Sequence, residues 1–438
     1  MDLSIDLLSI YLIPLLLLWI TYLRKRNLKS RGFLALHQEE VEAGLTEPAS
    51  LHPVFDPNRC LGCGSCVSAC PEQSHHPVLG LVDGKAMLVA PASCIGHGAC
   101  KTACPLNAIT LVFGTLKRGV DIPVLTPAYE TTVPGIFIAG ELGGMGLIRN
   151  AIEQGKKAMD AIAKIKRKNN EACLDVLIVG AGPAGFSASL RAMERKLKFV
   201  TVEQEALGGT VFQYPRGKIV MTSPVELPVA GKMKFRETSK EKLLDFWQRV
   251  EAKTGIRINY KERVESIDNT DDFFEVKTSK ATYRTSAVLL AIGRMGTPRK
   301  LGVPGEELEK VVYRLIDPEQ YRDQKVLVVG GGDSALEAAI SIAEQPGSQV
   351  TLSYRSAAFN RAKKKNRNRI NQLADSGAIE LMMKSTVKSF TRETAVLDYE
   401  GETVKIDNHA TIVCAGGILP TGFLKEIGLD IETKHGNA

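Results

Sequence analysis

Residues 175–185 read Asp-Val-Leu-Ile-Val-Gly-Ala-Gly-Pro-Ala-Gly. An apolar run leads into Gly180-x-Gly182-x-x-Gly185 and a helical stretch. Phe199-Val-Thr-Val then ends at Glu203. Strand, tight turn, helix, strand and acid in that order read as a dinucleotide-binding unit. The glycines let a pyrophosphate approach the helix N-terminus, and Glu203 can grip an adenosine ribose. Gly208-Gly209-Thr210 and Leu289-Leu-Ala-Ile-Gly293 follow. A second unit starts at Lys325: Lys-Val-Leu-Val-Val, then Gly330-x-Gly332-x-x-Ala335, then Gln349-Val-Thr-Leu-Ser-Tyr. This second strand ends on Arg355, not an acid, and Arg361 follows, so a 2′-phosphate can be neutralised there. Two such units imply two dinucleotides and an α/β fold. The basic run Lys363-Lys364-Lys365 with Arg367 and Arg369 belongs to the second site, to a partner surface or to a solvated helix face.

Upstream lie two cysteine runs. The first is Cys60-x2-Cys63-x2-Cys66-x3-Cys70-Pro71, the full spacing of a bacterial iron–sulfur run. The second, Cys94-x2-His97-x2-Cys100-x3-Cys104-Pro105, has histidine where the second cysteine belongs. Eight donors at this spacing favour cubane clusters over a zinc ribbon, which needs four donors in two pairs. The segment 55–112 resembles two-cluster ferredoxins. In that family the fourth cysteine of each run ligates the other cluster. The resemblance therefore implies one 4Fe–4S cluster on Cys60, Cys63, Cys66 and Cys104, and another on Cys94, His97, Cys100 and Cys70. His97 either ligates iron through a ring nitrogen, leaves an open iron site, or merely fills the loop. His75 and His76 read as surface residues.

The N-terminus is apolar from Leu3 to Leu23, and Arg24-Lys25-Arg26 follow directly. About twenty helical residues cover roughly 30 Å, the thickness of a bilayer core. The expectation is a single-pass membrane anchor over 1–26, with the basic residues and everything after them on the cytoplasmic side. A secretory signal would place its positive charge first. Residues 27–54 read as a polar tether. Over the whole chain of 438 residues the composition is that of a globular protein, 44% hydrophobic and 24% charged, with room for two or three domains. The net charge of +7 suits an acidic redox partner or an anionic lipid surface, and no feature points to nucleic acid. Of nine cysteines, seven lie in the two runs; Cys173 and Cys414 stand alone, and Cys414 reads as core.

Residues 115–438 resemble the thioredoxin-reductase-like flavoproteins, a fold of two dinucleotide domains. The resemblance implies FAD on the first unit, through Gly180, Gly182, Gly185, Glu203, Gly209 and Thr210. It implies NADPH, or else NADH, on the second, through Gly330, Gly332, Ala335, Arg355 and Arg361. Two departures stand out. The stretch Thr126-Pro-Ala-Tyr-Glu-Thr-Thr-Val-Pro-Gly-Ile-Phe-Ile-Ala-Gly140-Glu141 comes near the C-terminus in that family, where its acid holds the flavin ribityl chain. Here it precedes the first Gly-rich turn, with Glu141 in the acid's place and Gly143-Gly144-Met145-Gly146 following. The flavoprotein thus reads as circularly permuted: FAD domain 115–296 completed by 416–438, NAD(P) domain 297–415, and ferredoxin-like domain 55–114. The second departure is that 305–325 carries no cysteine where thioredoxin reductases hold a redox pair.

The expected activity is a membrane-anchored exchange of electrons between NAD(P)H and a one-electron partner, through FAD and two 4Fe–4S clusters, in either direction. The partner is a quinone, a cytochrome or a ferredoxin. A disulfide or low-molecular-weight thiol reductase is one alternative, and a non-catalytic relay subunit of a respiratory complex is another. Loop segments 293–305 and 412–417 are the expected hinges of the nicotinamide domain, and the family resemblance suggests a homodimer.

Overall fold

The computed structural model describes residues 3–48, 51–74, 76–144, 146–165, 173–270, 272–294, 296–359 and 362–436. His75, Met145 and Arg361 lie outside the described residues. The chain divides into two compact units, one of residues 1–119 with 435–438 and one of 120–434.

The first unit begins with helix α1 (Leu3–Glu42). Its C-terminal half is not a tether: it continues the helix past Arg26 and packs on the cysteine-rich module. The remaining elements are β1 (His52–Phe55), α2 (Ser65–Ser68), β2 (Leu79–Val82), β3 (Lys85–Leu88), α3 (Ala99–Thr102) and β4 (Ile109–Val112). Phe33 of α1 covers Gly80 so closely that a Cβ there would lie 2.6 Å from the ring. The Ser30 hydroxyl accepts the Asp83 N–H (3.1 Å), and His37 Nδ1 reaches the Val89 carbonyl (3.3 Å). His76 is half-buried and faces the buried Glu40 at 3.9 Å, so it is no surface residue. β1 pairs antiparallel with β4, and β2 with β3.

The expected membrane span is corrected by this helix. Among the described residues no helix is long and apolar enough to cross a membrane. Past Leu23 the same helix continues without a break into a polar, basic stretch. The next two turns carry Arg24, Lys25, Arg26, Lys29 and Arg31.

The second unit opens with β5 (Val120–Pro123), which pairs antiparallel with Ile431–Lys434 near the chain's end. Then come β6 (Ile136–Ile138), α4 (Ile148–Ile162), β7 (Val176–Val179), α5 (Pro183–Glu194) and β8 (Phe199–Glu203). A five-stranded parallel sheet forms in the order Asn259–Tyr260, β8, β7, Val288–Leu290, β6. All residues of β6, β7 and Val288–Leu290 are buried, as a sheet covered on both faces requires. Although β6 comes first in the chain, it takes the edge position beyond Val288–Leu290.

α4 lies against α5 at a close approach that only glycine allows: a Cβ on Gly155 would sit 2.1 Å from the Ala184 carbonyl oxygen. Asp160 of α4 fixes the pair from outside. It accepts two hydrogen bonds from Arg191 (2.9 and 2.8 Å) and two from Arg195 (3.0 and 2.7 Å). Burial pushes the Asp160 carboxyl up, but the two guanidiniums outweigh it and hold the group below its ordinary range. A depressed carboxylate stabilises the fold above its ordinary range and loses that contribution as pH falls through the depressed value. Asp160→Asn should therefore destabilise the protein by about 1 kcal/mol at neutral pH, a value limited by the partial exposure of the group. The gap to wild type should close on acidification. Thermal unfolding of both proteins across a pH series checks this, and a gap that widens in acid would refute it.

A second parallel sheet has the order Val311–Val312, Ala410–Val413, Lys325–Val329, Gln349–Tyr354, Ile379–Met383. The segments joining the two sheets pair with each other, Thr297–Pro298 against Gly417–Ile418. Charged groups also link the two halves: Arg314 with Glu205 (3.3 Å), Arg216 with Asp317 (3.3 Å), and Lys218 with Glu337 (2.5 Å).

Candidate functional site

The cysteine runs wrap two hollows. The first, about 390 Å³ with its mouth, is lined by Cys60, Cys63, Cys66 and Cys104. The second, about 310 Å³, is lined by Cys70, Cys94, His97 and Cys100. Each hollow thus draws three donors from one run and the fourth from the other. The wrapping is local. Gly64 and Gly98 cap α2 and α3 in the left-handed conformation (φ 78° and 79°), and Gly62 and Gly96 are left-handed as well (φ 68° and 73°). Backbone N–H groups point at sulfur: Ala86 N–H to Cys60 Sγ (3.4 Å) and Ala108 N–H to Cys104 Sγ (3.3 Å).

Burial pushes the thiols of Cys66 and Cys94 up to about 11 and raises those of Cys70 and Cys100. The exposed Cys63 is lowered, chiefly by the Ser65 hydroxyl. Buried thiols raised in this way stay protonated at neutral pH unless a cation holds them as thiolates, so the donor chemistry fits a metal cluster. Among the described residues no three His, Cys, Asp or Glu side chains converge tightly enough for a single metal ion. A mononuclear zinc site, with donors at about 2.0–2.3 Å from one centre, does not match this arrangement.

In the second unit, Gly180, Gly182 and Gly185 form the turn between β7 and α5. Gly180 has φ 103°, and a Cβ on it would lie 2.6 Å from the Ala291 carbonyl oxygen. A Cβ on Gly185 would lie 1.8 Å from the Gly180 carbonyl oxygen. Gly209 faces Gly182 backbone to backbone, and Thr210 lies beside Gly293. Glu203 ends β8, buried at 6% exposure. Its two oxygens accept the N–H groups of Ala181 (2.7 Å) and Glu205 (2.8 Å), which fixes the carboxylate beside the turn. Burial is the larger effect and raises its pKa.

Gly140 (φ 92°) closes the cradle from β6, with its position for a Cβ 3.1 Å from Ala184 Cβ. Its N–H donates to Gln154 Oε1 (2.8 Å). Glu141 follows; desolvation raises its carboxyl and Arg294 opposes that rise. Gln154 and Arg294 were not singled out in the sequence, because only the folded topology brings them beside the 140–141 turn.

The turn Gly330–Gly332 has the same construction. Gly330 (φ 143°) abuts the Cys414 carbonyl, and Ala335 packs beneath it. The Tyr354 ring lies over Gly331, where a Cβ would be 2.4 Å from the ring, and stacks on Phe359 at 5.6 Å. Arg355 extends from that strand end and is exposed. Asp333 Oδ1, in the first helical turn after Gly332, accepts the Lys363 N–H and the Asn366 amide, both at 2.8 Å. The basic run therefore starts beside the glycine turn. One turn along it, Arg367 keeps a buried Nε with no hydrogen-bond partner. Cys414 is raised to about 12 by burial, as a core thiol would be. Cys173 meets the Ser286 hydroxyl at 3.8 Å.

Two linked dinucleotide domains joined to a cysteine-wrapped module define a flavin- and nicotinamide-dependent redox protein. Residues 177–437 match the family described as pyridine nucleotide-disulphide oxidoreductase, and the chain belongs to that family. Residues 52–105 match a 4Fe-4S dicluster domain. The chain is 28% identical over 265 residues to a ferredoxin–NADP reductase of Ignicoccus hospitalis, covering 60% of this chain and 83% of that one. It is 27% identical over 266 residues to the bacilliredoxin reductase Bdr of Bacillus subtilis, covering 59% and 82%. Among solved structures, the bacillithiol disulfide reductase Bdr (YpdA) from Bacillus cereus is similar with a TM-score of 0.52 at 25% identity, covering 59% and 82%. The protein is an FAD-dependent NAD(P)H oxidoreductase with a 4Fe–4S dicluster domain.

Proposed function

We propose that this enzyme moves electrons between NADPH and a ferredoxin-type, one-electron partner by way of FAD and two 4Fe–4S clusters. The observation that carries the reading is the sorting of the seven cysteines of the two runs into two hollows, each including the fourth cysteine of the other run. When bound, the flavin supplies the conversion between hydride transfer and single-electron transfer, which no side chain performs alone.

The chain's own residues do the positioning. Gly180, Gly182, Gly185, Gly209 and Thr210 leave room for a pyrophosphate at the start of α5. Glu203, held by two N–H groups, keeps lone pairs free for ribose hydroxyls. Gly140 and Glu141 face the same cradle from β6. Gly330, Gly332 and Ala335 form the corresponding seat for the nicotinamide dinucleotide, and Arg355 stands where a 2′-phosphate would sit.

Charge-assisted hydrogen bonds contribute about 1.5–3 kcal/mol. Arg355→Ala should therefore raise the KM for NADPH about ten- to hundredfold while changing that for NADH little. Steady-state kinetics with both donors checks this, and equal losses for the two would remove Arg355 from the phosphate site.

A thiol-reductase reading is favoured by the likeness to Bdr. Against it, the stretch 305–325 holds no cysteine, and Cys173 and Cys414 sit in separate surroundings. The deciding experiment adds NADPH anaerobically and follows flavin absorbance together with low-temperature EPR. Flavin bleaching with reduced-cluster signals supports the proposal. Bleaching with clusters that stay oxidised, together with turnover of a disulfide that survives cluster loss, would replace it by the thiol reductase.

A further inference from the structure

The two cysteine runs repeat one local geometry. In the first run Ser65, two residues on, meets Cys63 Sγ through its hydroxyl (3.4 Å) and its backbone. In the second the Ala99 N–H donates to His97 Nδ1 at 3.0 Å. Nδ1 therefore takes the place that Sγ takes in the first run, receiving the N–H two residues on, at the start of a short helix capped by left-handed glycine. The consequences differ. A thiolate has several lone pairs and can accept an N–H while binding iron. An imidazole nitrogen has one, in the ring plane, and here the Ala99 N–H uses it. With Nδ1 accepting, a neutral ring carries its proton on Nε2, which then has no lone pair to offer either. The ring is half-buried.

Resting on the dicluster reading above, we infer that His97 is not an iron ligand and that the second cluster has three protein ligands, Cys94, Cys100 and Cys70. One iron at its fourth corner then has neither a thiolate nor an imidazole, and the Glu72 carboxylate and solvent are the oxygen donors of that hollow. The corner makes the cluster convertible. One-electron oxidation of a 4Fe–4S cluster from the 2+ to the 3+ state weakens retention of the unsupported iron. Loss of that iron as Fe2+ leaves a 3Fe–4S cluster of charge 1+, so that atoms and electrons balance. The oxidant is a one-electron acceptor.

The test uses the full chain, loaded anaerobically with iron and sulfide and then treated with ferricyanide. Wild type should develop the EPR signal of an oxidised three-iron cluster. His97→Ala should develop the same signal to the same extent. His97→Cys, which restores the missing thiolate, should lose it and retain more iron per chain. Two results would overturn the inference: a wild type that keeps both four-iron clusters while His97→Ala forms the three-iron species, or a reduced wild-type spectrum with nitrogen hyperfine coupling that His97→Ala abolishes. A wild-type chain that takes up no iron–sulfur cluster at all would instead remove the dicluster reading beneath it.

Discussion

Cys66→Ser should cut turnover with a one-electron acceptor by at least about a hundredfold, since even partners behind metal ligands are worth about ten- to hundredfold. Reduction of the flavin by NADPH should stay near its wild-type rate. Cys66 is the most enclosed donor of the first hollow, at 6% exposure, and is set by α2 directly after its left-handed glycine cap. Burial holds its thiol near 11, so in the absence of a cluster it is an inert, protonated core residue. Serine fits the same space but offers a harder, more basic oxygen. The dinucleotide cradles belong to the other compact unit and share no residue with this hollow. Stopped-flow absorbance measures flavin reduction, and cytochrome reduction measures delivery. Full acceptor turnover in Cys66→Ser would show that electrons leave the flavin without passing through the first cluster.

Gly182→Ala and Gly185→Ala should both strip the protein of flavin, for different reasons, and thermal unfolding separates them. A Cβ on Gly182 meets nothing nearer than Gly209 Cα at 3.9 Å, and its backbone is of ordinary extended type. The apoprotein should therefore melt as wild type does, while the methyl group occupies the space meant for the pyrophosphate. Gly185 is different: its Cβ would lie 1.8 Å from the Gly180 carbonyl oxygen. The turn must open, and overpacking of this kind costs about 1–3 kcal/mol. Gly185→Ala should thus lower both the melting temperature and the affinity for FAD, the latter by about tenfold or more. Flavin content after purification and calorimetric titration of FAD are the readouts. Normal FAD binding by Gly182→Ala would show that the pyrophosphate does not run over this turn.

Local spacing carried most of what could be seen in advance. Cysteines three and four residues apart and glycines at fixed intervals act within one turn, so their pattern survives without knowledge of the fold. The strand and turn of the 126–141 stretch were also visible, because their residues are contiguous. Legibility stopped where partners are remote in sequence. Gln154 beneath Gly140, Arg294 beside Glu141, and Asp333 tied to Lys363 and Asn366 depend on which elements become neighbours. The N-terminal helix misled for a related reason. Hydropathy showed an apolar start and a polar continuation, but not that Ser30, Phe33 and His37 had a hairpin to pack against. The hydrogen bond at His97 was hidden as well, because the direction of the Ala99 N–H is set by the fold of the loop and not by the residue spacing.

The seam between β5 and Ile431–Lys434 has a consequence for how the chain is made. Asp121 and Thr433, hydrogen-bonded at 2.7 Å, are 312 positions apart. On a ribosome the cysteine-rich module is nearly complete before any of the flavoprotein emerges, and a domain generally folds as it appears. The flavoprotein has no such head start. Its first strand must wait, one edge bare, until residues 431–434 are synthesised, and exposed edges invite wrong partners. Co-translational assembly should therefore run in two stages, with early loading of iron and sulfide and late sealing of the nucleotide-binding body. The critical moment is the emergence of residues 431–434, not the exit of either glycine turn.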